Sequence, residues 1–127
     1  MRYFGKYVPT KQETKKDIPS ASQITEIIIR FDDLDEALIQ KVYKKIGENV
    51  KRIREEKNFS QLSLAQAIGH KSVSVVSCAE ICHKNYHFNI EHLVRIAGVL
   101  DVNIVDFFDG VDKMIEAVKN YKKANEG

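Results

Sequence analysis

Near the centre of the chain, two short helical segments stand on either side of a turn that contains glycine. Ser60 is a favourable N-cap for the first segment, and Gly69 ends it. The apolar side chains that recur there at helical spacing are Leu64, Ala65 and Ile68. Ser72 is a favourable N-cap for the second segment, which extends from about Val73 to Ile81. Two short helices joined in this way form a unit that can present its second helix to a DNA groove.

Upstream of this bihelical unit, two apolar stripes indicate either one long helix or two consecutive ones. Asp32 or Asp33 can cap the first stripe, and Asn58 is a favourable left-handed cap after the second. Gly47 lies where the stripes meet, and it weakens helix continuity without forbidding it. The stripes comprise Leu34, Leu38, Val42 and Ile46, followed by Val50 and Ile53.

Downstream of the unit, the sequence predicts three further helices. Asn89 can cap a helix over Ile90–Leu100, with His92 at the third position after the cap. Ile104–Phe108 is expected to form a short helix, and Val111–Lys123 a final amphipathic one. Because strand signals are scarce, the predicted fold class is all-α.

The first 45 residues differ in character from the rest. A polar stretch with two prolines opens the chain, and the β-branched run in Ile24–Phe31 then predicts a short strand or extended segment. The predicted organisation is a flexible arm (1–23), an extension for dimerisation or partner binding (24–45), a helical domain (46–109), and a C-terminal amphipathic helix and tail (110–127).

Composition favours a globular protein of the cytoplasm. Apolar residues make up 43% of the chain, yet no apolar run approaches the roughly 20 residues of a membrane-spanning helix. Met1–Val8 lacks the apolar core of a secretion signal. Charge is distributed unevenly: Lys41–Lys57 contains seven basic and three acidic residues, whereas Asp101–Glu116 contains five acidic residues and one lysine. Ordinary scatter explains this asymmetry as well as a DNA-binding surface does.

The segment from about Ile46 to Phe108 resembles the Cro/CI-type (Xre-like) helix-turn-helix family of phage repressors and bacterial regulators. Ile46–Lys57 is similar to the family's first helix, and Ser60–Glu80 to its bihelical motif. Ile90–Leu100, followed by Asp101-Val102-Asn103 and Phe107-Phe108, is similar to its fourth and fifth helices. Two local departures stand out: the turn Gly69-His70-Lys71-Ser72 is one residue longer than usual, and Ile81-Cys82-His83-Lys84 lacks the usual glycine.

The resemblance implies a five-helix, phage-repressor-like domain that acts as a sequence-specific DNA-binding transcriptional regulator, expected to be a repressor. It also implies that Arg54 pairs with Glu80 and so links the first helix to the recognition helix, Val73–Ile81. Gln61 would contact the DNA backbone and brace that helix. Because such proteins bind paired half-sites, a homodimer on double-stranded DNA is expected.

With Val76 directed inward, helical geometry places Ser72, Ala79 and Glu80 on the same buried side of the recognition helix. We term the opposite side the reading face; it consists of Val73, Ser74, Ser77, Cys78 and Ile81. It holds no Arg, Lys, Asn or Gln, so bidentate pairing with guanine or adenine is missing. Serine hydroxyls can bond to either kind of base, and Val73 or Cys78 can meet thymine methyl groups. Readout is therefore expected to be weak or to depend on Gln61, turn residues or DNA shape.

Residues that flank the recognition helix are candidates for phosphate contacts, which position the protein without specifying sequence. These flanking residues are His70, Lys71, Lys84 and Asn85. The predicted DNA-binding residues are therefore Gln61, His70, Lys71, Ser72, Val73, Ser74, Ser77, Cys78, Lys84 and Asn85. Candidate dimer surfaces are Ile104, Val105, Phe107 and Phe108; Met114, Ile115 and Val118; and the segment Ile24–Phe31.

Other functions remain open at this point. A reading face of this composition also suits a protein-interaction module, or an antitoxin whose N-terminal 45 residues bind a toxin-like partner. Cys78, Cys82, His83 and His87 have spacings that suggest a metal site. Both cysteines, however, fall on or near the DNA-facing side and the family fold needs no metal, so no metal or cofactor is predicted. No nucleophile–base set stands out, which disfavours an enzyme.

Overall fold

The computed structural model describes Ser20, Ala21 and residues 36–126. The chain divides into two compact units, residues 1–33 and 34–127, and the architecture below belongs to the second. Apart from Ser20 and Ala21, the predicted arm lies outside the described residues, as do the extended segment Ile24–Phe31 and the caps at Asp32 or Asp33.

The predicted all-α class is confirmed, because residues 36–126 form five α-helices and two short 3₁₀ helices without a strand. No helix among the described residues has the length and apolar content needed to cross a membrane. The α-helices are α1 (Glu36–Glu56), α2 (Gln61–Ala67), α3 (Ser74–Ile81), α4 (Ile90–Leu100) and α5 (Val111–Glu126), and the 3₁₀ helices are His83–Asn85 and Ile104–Phe108.

The two apolar stripes upstream of the bihelical unit belong to one continuous helix of 21 residues, which passes through Gly47. The predicted boundary between residues 45 and 46 therefore falls inside α1. Asn58 adopts the left-handed conformation expected of it, with φ of 62°. Beyond it, the Phe59 N–H donates to the Arg54 carbonyl at 3.0 Å, which satisfies an end group of the helix.

Side-chain caps set the starts of two other helices. Ser60 Oγ accepts from the Ser63 N–H at 2.9 Å. Asn89 and His92 form a reciprocal capping box: Asn89 Oδ1 accepts from the His92 N–H at 2.7 Å, and His92 Nδ1 accepts from the Asn89 N–H at 3.2 Å. At α3, Val73 already has helical dihedral angles (φ −66°, ψ −20°), and Ser72 Oγ accepts from the Ser74 N–H at 3.1 Å. Ser72 thus makes the capping bond predicted for it, although the helix itself begins at Ser74.

A single apolar core lies between the helices, and all five α-helices and the 3₁₀ helix Ile104–Phe108 contribute to it. α1 packs against α3, α5 and the 3₁₀ helix Ile104–Phe108, while α2 packs against α3 and α4. Asn49 reinforces this arrangement, because its side-chain amide donates to the carbonyls of Phe107 and Asp109 at 2.9 Å each. The side chains at the centre of the core include Val50, Leu64, Val76, Ile96 and Phe107.

Two of the predicted elements differ from the expectation in the second half of the chain. The final helix extends beyond Lys123 to Glu126. Phe107, predicted as part of a dimer surface, is fully buried in the core and so cannot contact a second copy. Phe107 is buried because its large ring fills a volume at the centre of this small domain that no other side chain occupies.

Candidate nucleic-acid interface

The recognition helix α3 is held against α1 at a point of unusually close backbone approach. A Cβ atom added to Gly47 would lie 2.5 Å from the Glu80 carbonyl oxygen and 2.8 Å from that of Ala79. Only glycine allows the two backbones to meet at this distance. Sequence patterns indicated only that Gly47 weakens helix continuity. The presence of a glycine in the middle of a strongly periodic helix could have predicted a close contact with another helix.

Arg54 contacts Glu80, the residue with which the family resemblance pairs it. Its Nε donates to Glu80 Oε2 at 2.7 Å and its Nη2 donates to Oε1 at 3.1 Å. Nη1 donates to the Phe59 carbonyl at 2.8 Å, so the guanidinium also ties down the end of α1. Glu80 is only 2% exposed, and the bidentate pair supplies the cation that a buried carboxylate requires.

Gln61 completes this polar cluster from the first turn of α2. Its Nε2 donates to Glu80 Oε1 at 2.9 Å, and the side chain is half-buried. The Glu80 carboxylate therefore receives donors from both α1 and α2. Gln61 was expected both to contact the DNA backbone and to brace the recognition helix. This geometry provides the bracing, because the amide nitrogen is already engaged by the Glu80 carboxylate.

The buried side of α3 is broader than the single stripe predicted from helical geometry. Val76, Ala79 and Glu80 face the core as expected, but Val75 is buried as well. The reason is that α3 packs against both α1 and α2, so that two adjacent sides of a short helix are covered. Ser72 was wrongly placed on this side: it is exposed, because it precedes the helix and helical periodicity does not apply to it.

The reading face is the side of α3 left uncovered, and it is mostly apolar. Ser74 is exposed, Val73 is 37% exposed and Ile81 is 63% exposed, whereas Ser77 and Cys78 are half-buried. The structure therefore brings the predicted residues onto one accessible strip, with the outer edges more accessible than the middle. α2 adds an exposed apolar side chain, Leu62, which was not among the predicted site residues.

Two serine hydroxyls at the start of α3 are engaged with each other. The Oγ atoms of Ser72 and Ser74 lie 2.7 Å apart, and Ser72 Oγ also accepts from the Ser74 N–H at 3.1 Å. These bonds satisfy backbone and hydroxyl groups at the helix start. They also reduce the hydrogen-bonding capacity that the two side chains offer to a base edge.

The flanking residues predicted to contact phosphates are all exposed. His70 and Lys71 lie in the turn before α3, and Lys84 and Asn85 lie in the 3₁₀ helix after it. The turn before α3 follows Gly69, whose φ of 93° explains the glycine there. The side chains thus border both ends of the recognition helix, which is where contacts to the two walls of a groove are needed.

The loop after α3, which lacks the family's usual glycine, uses other residues in left-handed conformations. Cys82, Lys84 and Asn85 have φ values of 54°, 52° and 65°. Asparagine tolerates this region, but Cys82 and Lys84 each carry a cost of about 1–2 kcal/mol. The turn after α3 is therefore formed at the expense of local strain.

Histidine rings cluster beside this loop and the turn. The His70 and His92 rings meet edge-on with centroids 5.6 Å apart, and His87 stacks on Tyr43 of α1 at 3.6 Å. Burial, and secondarily the nearby His70, lowers the pKa of the His92 imidazole, in keeping with its role as an acceptor in the capping box. Sequence patterns did not indicate the Tyr43–His87 contact, because the two residues lie far apart in the chain.

The cysteines and the candidate metal ligands do not converge. Cys78 and Cys82 are both free thiols and half-buried, and burial raises the pKa of the Cys82 thiol. Within residues 20, 21 and 36–126, no three His, Cys, Asp or Glu side chains lie close enough together to hold a metal ion.

Comparison with known proteins agrees with the geometry of α2 and α3. Residues 50–107 match the family model described as helix-turn-helix, a span that runs from the second half of α1 to the second 3₁₀ helix. Neither a curated protein nor a solved structure matches the chain.

Proposed function

Through residues 50–107 the chain belongs to the Cro/CI-type (Xre-like) helix-turn-helix family of DNA-binding regulators, and on this basis we propose that it inserts α3 into the major groove as a sequence-specific transcriptional repressor. One observation carries the proposal. α3 is fixed on its inner side by the Gly47 contact and the Arg54–Glu80 pair, while its reading face is left open. A rigidly seated helix with one free side is the arrangement that groove insertion requires.

Phosphate contacts supply most of the affinity in this proposal, because the reading face carries no charge. Lys71 and Lys84 border α3 at its two ends, and His70 and Asn85 add exposed polar side chains beside them. Two lysines in each of two protomers neutralise about four phosphates, which corresponds to a log–log salt slope of about −4. Affinity is therefore expected to fall steeply as salt rises.

We propose that the protein binds as a homodimer, since one short helix reads too few base pairs for specificity. With Phe107 assigned to the core, the exposed apolar residue of the second 3₁₀ helix is Val105, which is 67% exposed. Ile104 and Phe108 beside it are half-buried. The acidic residues of this region, Asp106 and Asp109, make it a poor surface for DNA and leave it available for a partner protomer.

The test is the affinity of the full chain for random duplex DNA, measured by fluorescence anisotropy from 50 to 300 mM salt. Steep salt dependence is expected, with a large loss of affinity in the variant that combines Lys71→Ala and Lys84→Ala. The matched control replaces two exposed lysines of α5, Lys113 and Lys119, in the same way. Equal loss in both double variants would show that net charge, not the α3 flanks, determines binding.

A second candidate is an interaction module or antitoxin that uses the same fold to bind a protein. The apolar character of the reading face, with Val73 and Ile81 exposed and no charged or amide side chain, is the observation that favours it. Absence of DNA binding at low salt, together with a toxin-like partner in stoichiometric amount after purification, would support this candidate over the first.

A further inference from the structure

The chemistry of the reading face limits which base edges it can recognise. α3 has the sequence SVVSCAEI, and Glu80, its one charged side chain, is buried and paired with Arg54. The helix offers no side chain that can pair bidentately with guanine or adenine, which are the strongest contacts in the major groove. Recognition by α3 therefore depends on single hydroxyl groups and on apolar contact.

Hydrogen bonding at the leading end of the helix is already partly used. Ser72 and Ser74 lie 2.7 Å apart through their hydroxyl oxygens, and Ser72 Oγ accepts the Ser74 N–H as well. The neighbouring Val73 side chain, in contrast, is 37% exposed and lies at the N-terminal end of the helix. In this motif the N-terminal residues of the recognition helix are the ones that meet base edges. The group best presented to the bases is thus a pair of methyl groups.

We infer that Val73 recognises the 5-methyl group of thymine in the major groove, and that the preferred ligand of this domain is A·T-rich duplex DNA. The thymine methyl is the apolar group among the base edges of that groove, so it is the partner that a valine can select. Cys78, half-buried in the middle of the reading face, is a second apolar contact about 1.4 helical turns further along the chain. The inference rests on the proposed insertion of α3 into the groove.

Methyl recognition can be separated from base pairing by chemistry. Deoxyuridine pairs as thymidine does and presents the same hydrogen-bonding groups, but it lacks the 5-methyl group. Conversely, 5-methylcytosine places a methyl group at the corresponding position of a G·C pair. A protein that reads the methyl group responds to both exchanges, whereas one that reads hydrogen-bonding groups responds to neither.

The experiment starts with selection of duplexes bound by the full chain from a random library, followed by affinity measurements on the best sequence. Each thymidine is then replaced in turn by deoxyuridine. Removal of one contacted methyl group is expected to weaken binding about four-fold, equivalent to ~0.8 kcal/mol for one buried methyl-sized group. The salt slope should stay unchanged, because the phosphate contacts are the same.

Val73→Ser provides the matched protein change, because it removes both methyl groups of the side chain and leaves a single hydroxyl. The ratio of dissociation constants for deoxyuridine and thymidine duplexes should fall to about one in this variant. Val94→Ser is the control: it makes the same exchange at a 56%-exposed position of α4, and the ratio should remain that of the parent protein.

The outcomes distinguish this inference from the function on which it rests. No binding to any duplex at low salt would contradict the proposed function itself. Binding with equal affinity for thymidine and deoxyuridine duplexes would leave that function standing and overturn methyl recognition. A G·C-rich selected sequence, or a Val73→Ser variant that keeps the parent ratio, would also overturn it.

Discussion

Replacement of Gly47 by alanine is expected to destabilise the domain even though it improves the helix propensity of α1. The added Cβ would lie 2.5 Å from the Glu80 carbonyl oxygen and 2.8 Å from the Ala79 carbonyl oxygen, and both obstacles are backbone atoms of α3. Restoring ordinary van der Waals separation requires the two helices to move apart by about 1 Å. That movement acts directly on the C-terminal half of the recognition helix.

The magnitude follows from two opposing contributions. Alanine is favoured over glycine in a helix interior by about 1 kcal/mol. Overpacking in a close-packed core costs about 1–3 kcal/mol, and the upper end applies here because Arg54 fixes Glu80 in place. The expected net loss is about 2 kcal/mol in the free energy of unfolding, or roughly 10 °C in the midpoint of thermal unfolding for a domain of this size.

Gly98 provides the matched control, because it lies on an exposed side of α4 and a Cβ there would have no neighbour within 4 Å. Gly98→Ala should therefore stabilise the protein by about 1 kcal/mol, through helix propensity alone. The assay is urea unfolding followed by circular dichroism for the parent and both variants, with DNA affinity measured in parallel. Gly47→Ala should also weaken DNA binding, whereas Gly98→Ala should not.

If Gly47→Ala is as stable as Gly98→Ala or more so, the predicted cost of a Cβ atom at Gly47 is wrong. That result would mean that α1 and α3 separate at little cost, and that the close approach at Gly47 does not seat the recognition helix. A destabilised Gly47→Ala that binds DNA normally would refute only the link between this contact and the position of α3.

Three further predictions concern the cluster around α3 and the strained loop. Arg54→Met, like Arg54→Ala, should lower the free energy of unfolding in urea by about 3–5 kcal/mol, because Glu80 stays buried without its cation. Adding Glu80→Leu to Arg54→Met should recover most of that loss, and a stable, DNA-binding Arg54→Ala would contradict this prediction. Lys84→Gly should raise the free energy of unfolding by about 0.5–1 kcal/mol, because it relieves the strain of a non-glycine residue at a φ of 52°. It should also lower the magnitude of the log–log salt slope of DNA binding by about 1 per protomer, and unaltered unfolding and binding curves would rule out both effects. The lowered pKa of His92 means that the unfolded chain takes up a proton first, so stability should fall as pH decreases below about 6.5. Thermal melts between pH 7.5 and 5 should show less of this loss for His92→Gln, because glutamine can retain the capping box.

Local features of the sequence were sufficient to predict several of the helix ends. Ser60, Asn58 and the Asn89–His92 pair act through atoms only a few residues away, so their residue types predict caps whatever the rest of the chain does. The apolar stripe of α1 likewise predicts its buried side, because side chains four residues apart share one side of a helix. The family resemblance added the Arg54–Glu80 pairing.

How the recognition helix is seated, and which side chains it presents, depends on contacts between helices. Val75 is buried because α3 lies against two helices at once, and Phe107 is withdrawn from the surface because the core has room for its ring. Gly47 is needed for the close approach to Ala79 and Glu80, which lie 32 and 33 positions further along the chain. No local pattern encodes that contact. Periodicity reports which side of a helix is apolar, whereas the distance between two helices depends on every side chain that separates them. Local sequence patterns thus specify the two helices between Ser60 and Glu80, whereas packing specifies which atoms of the second helix remain exposed.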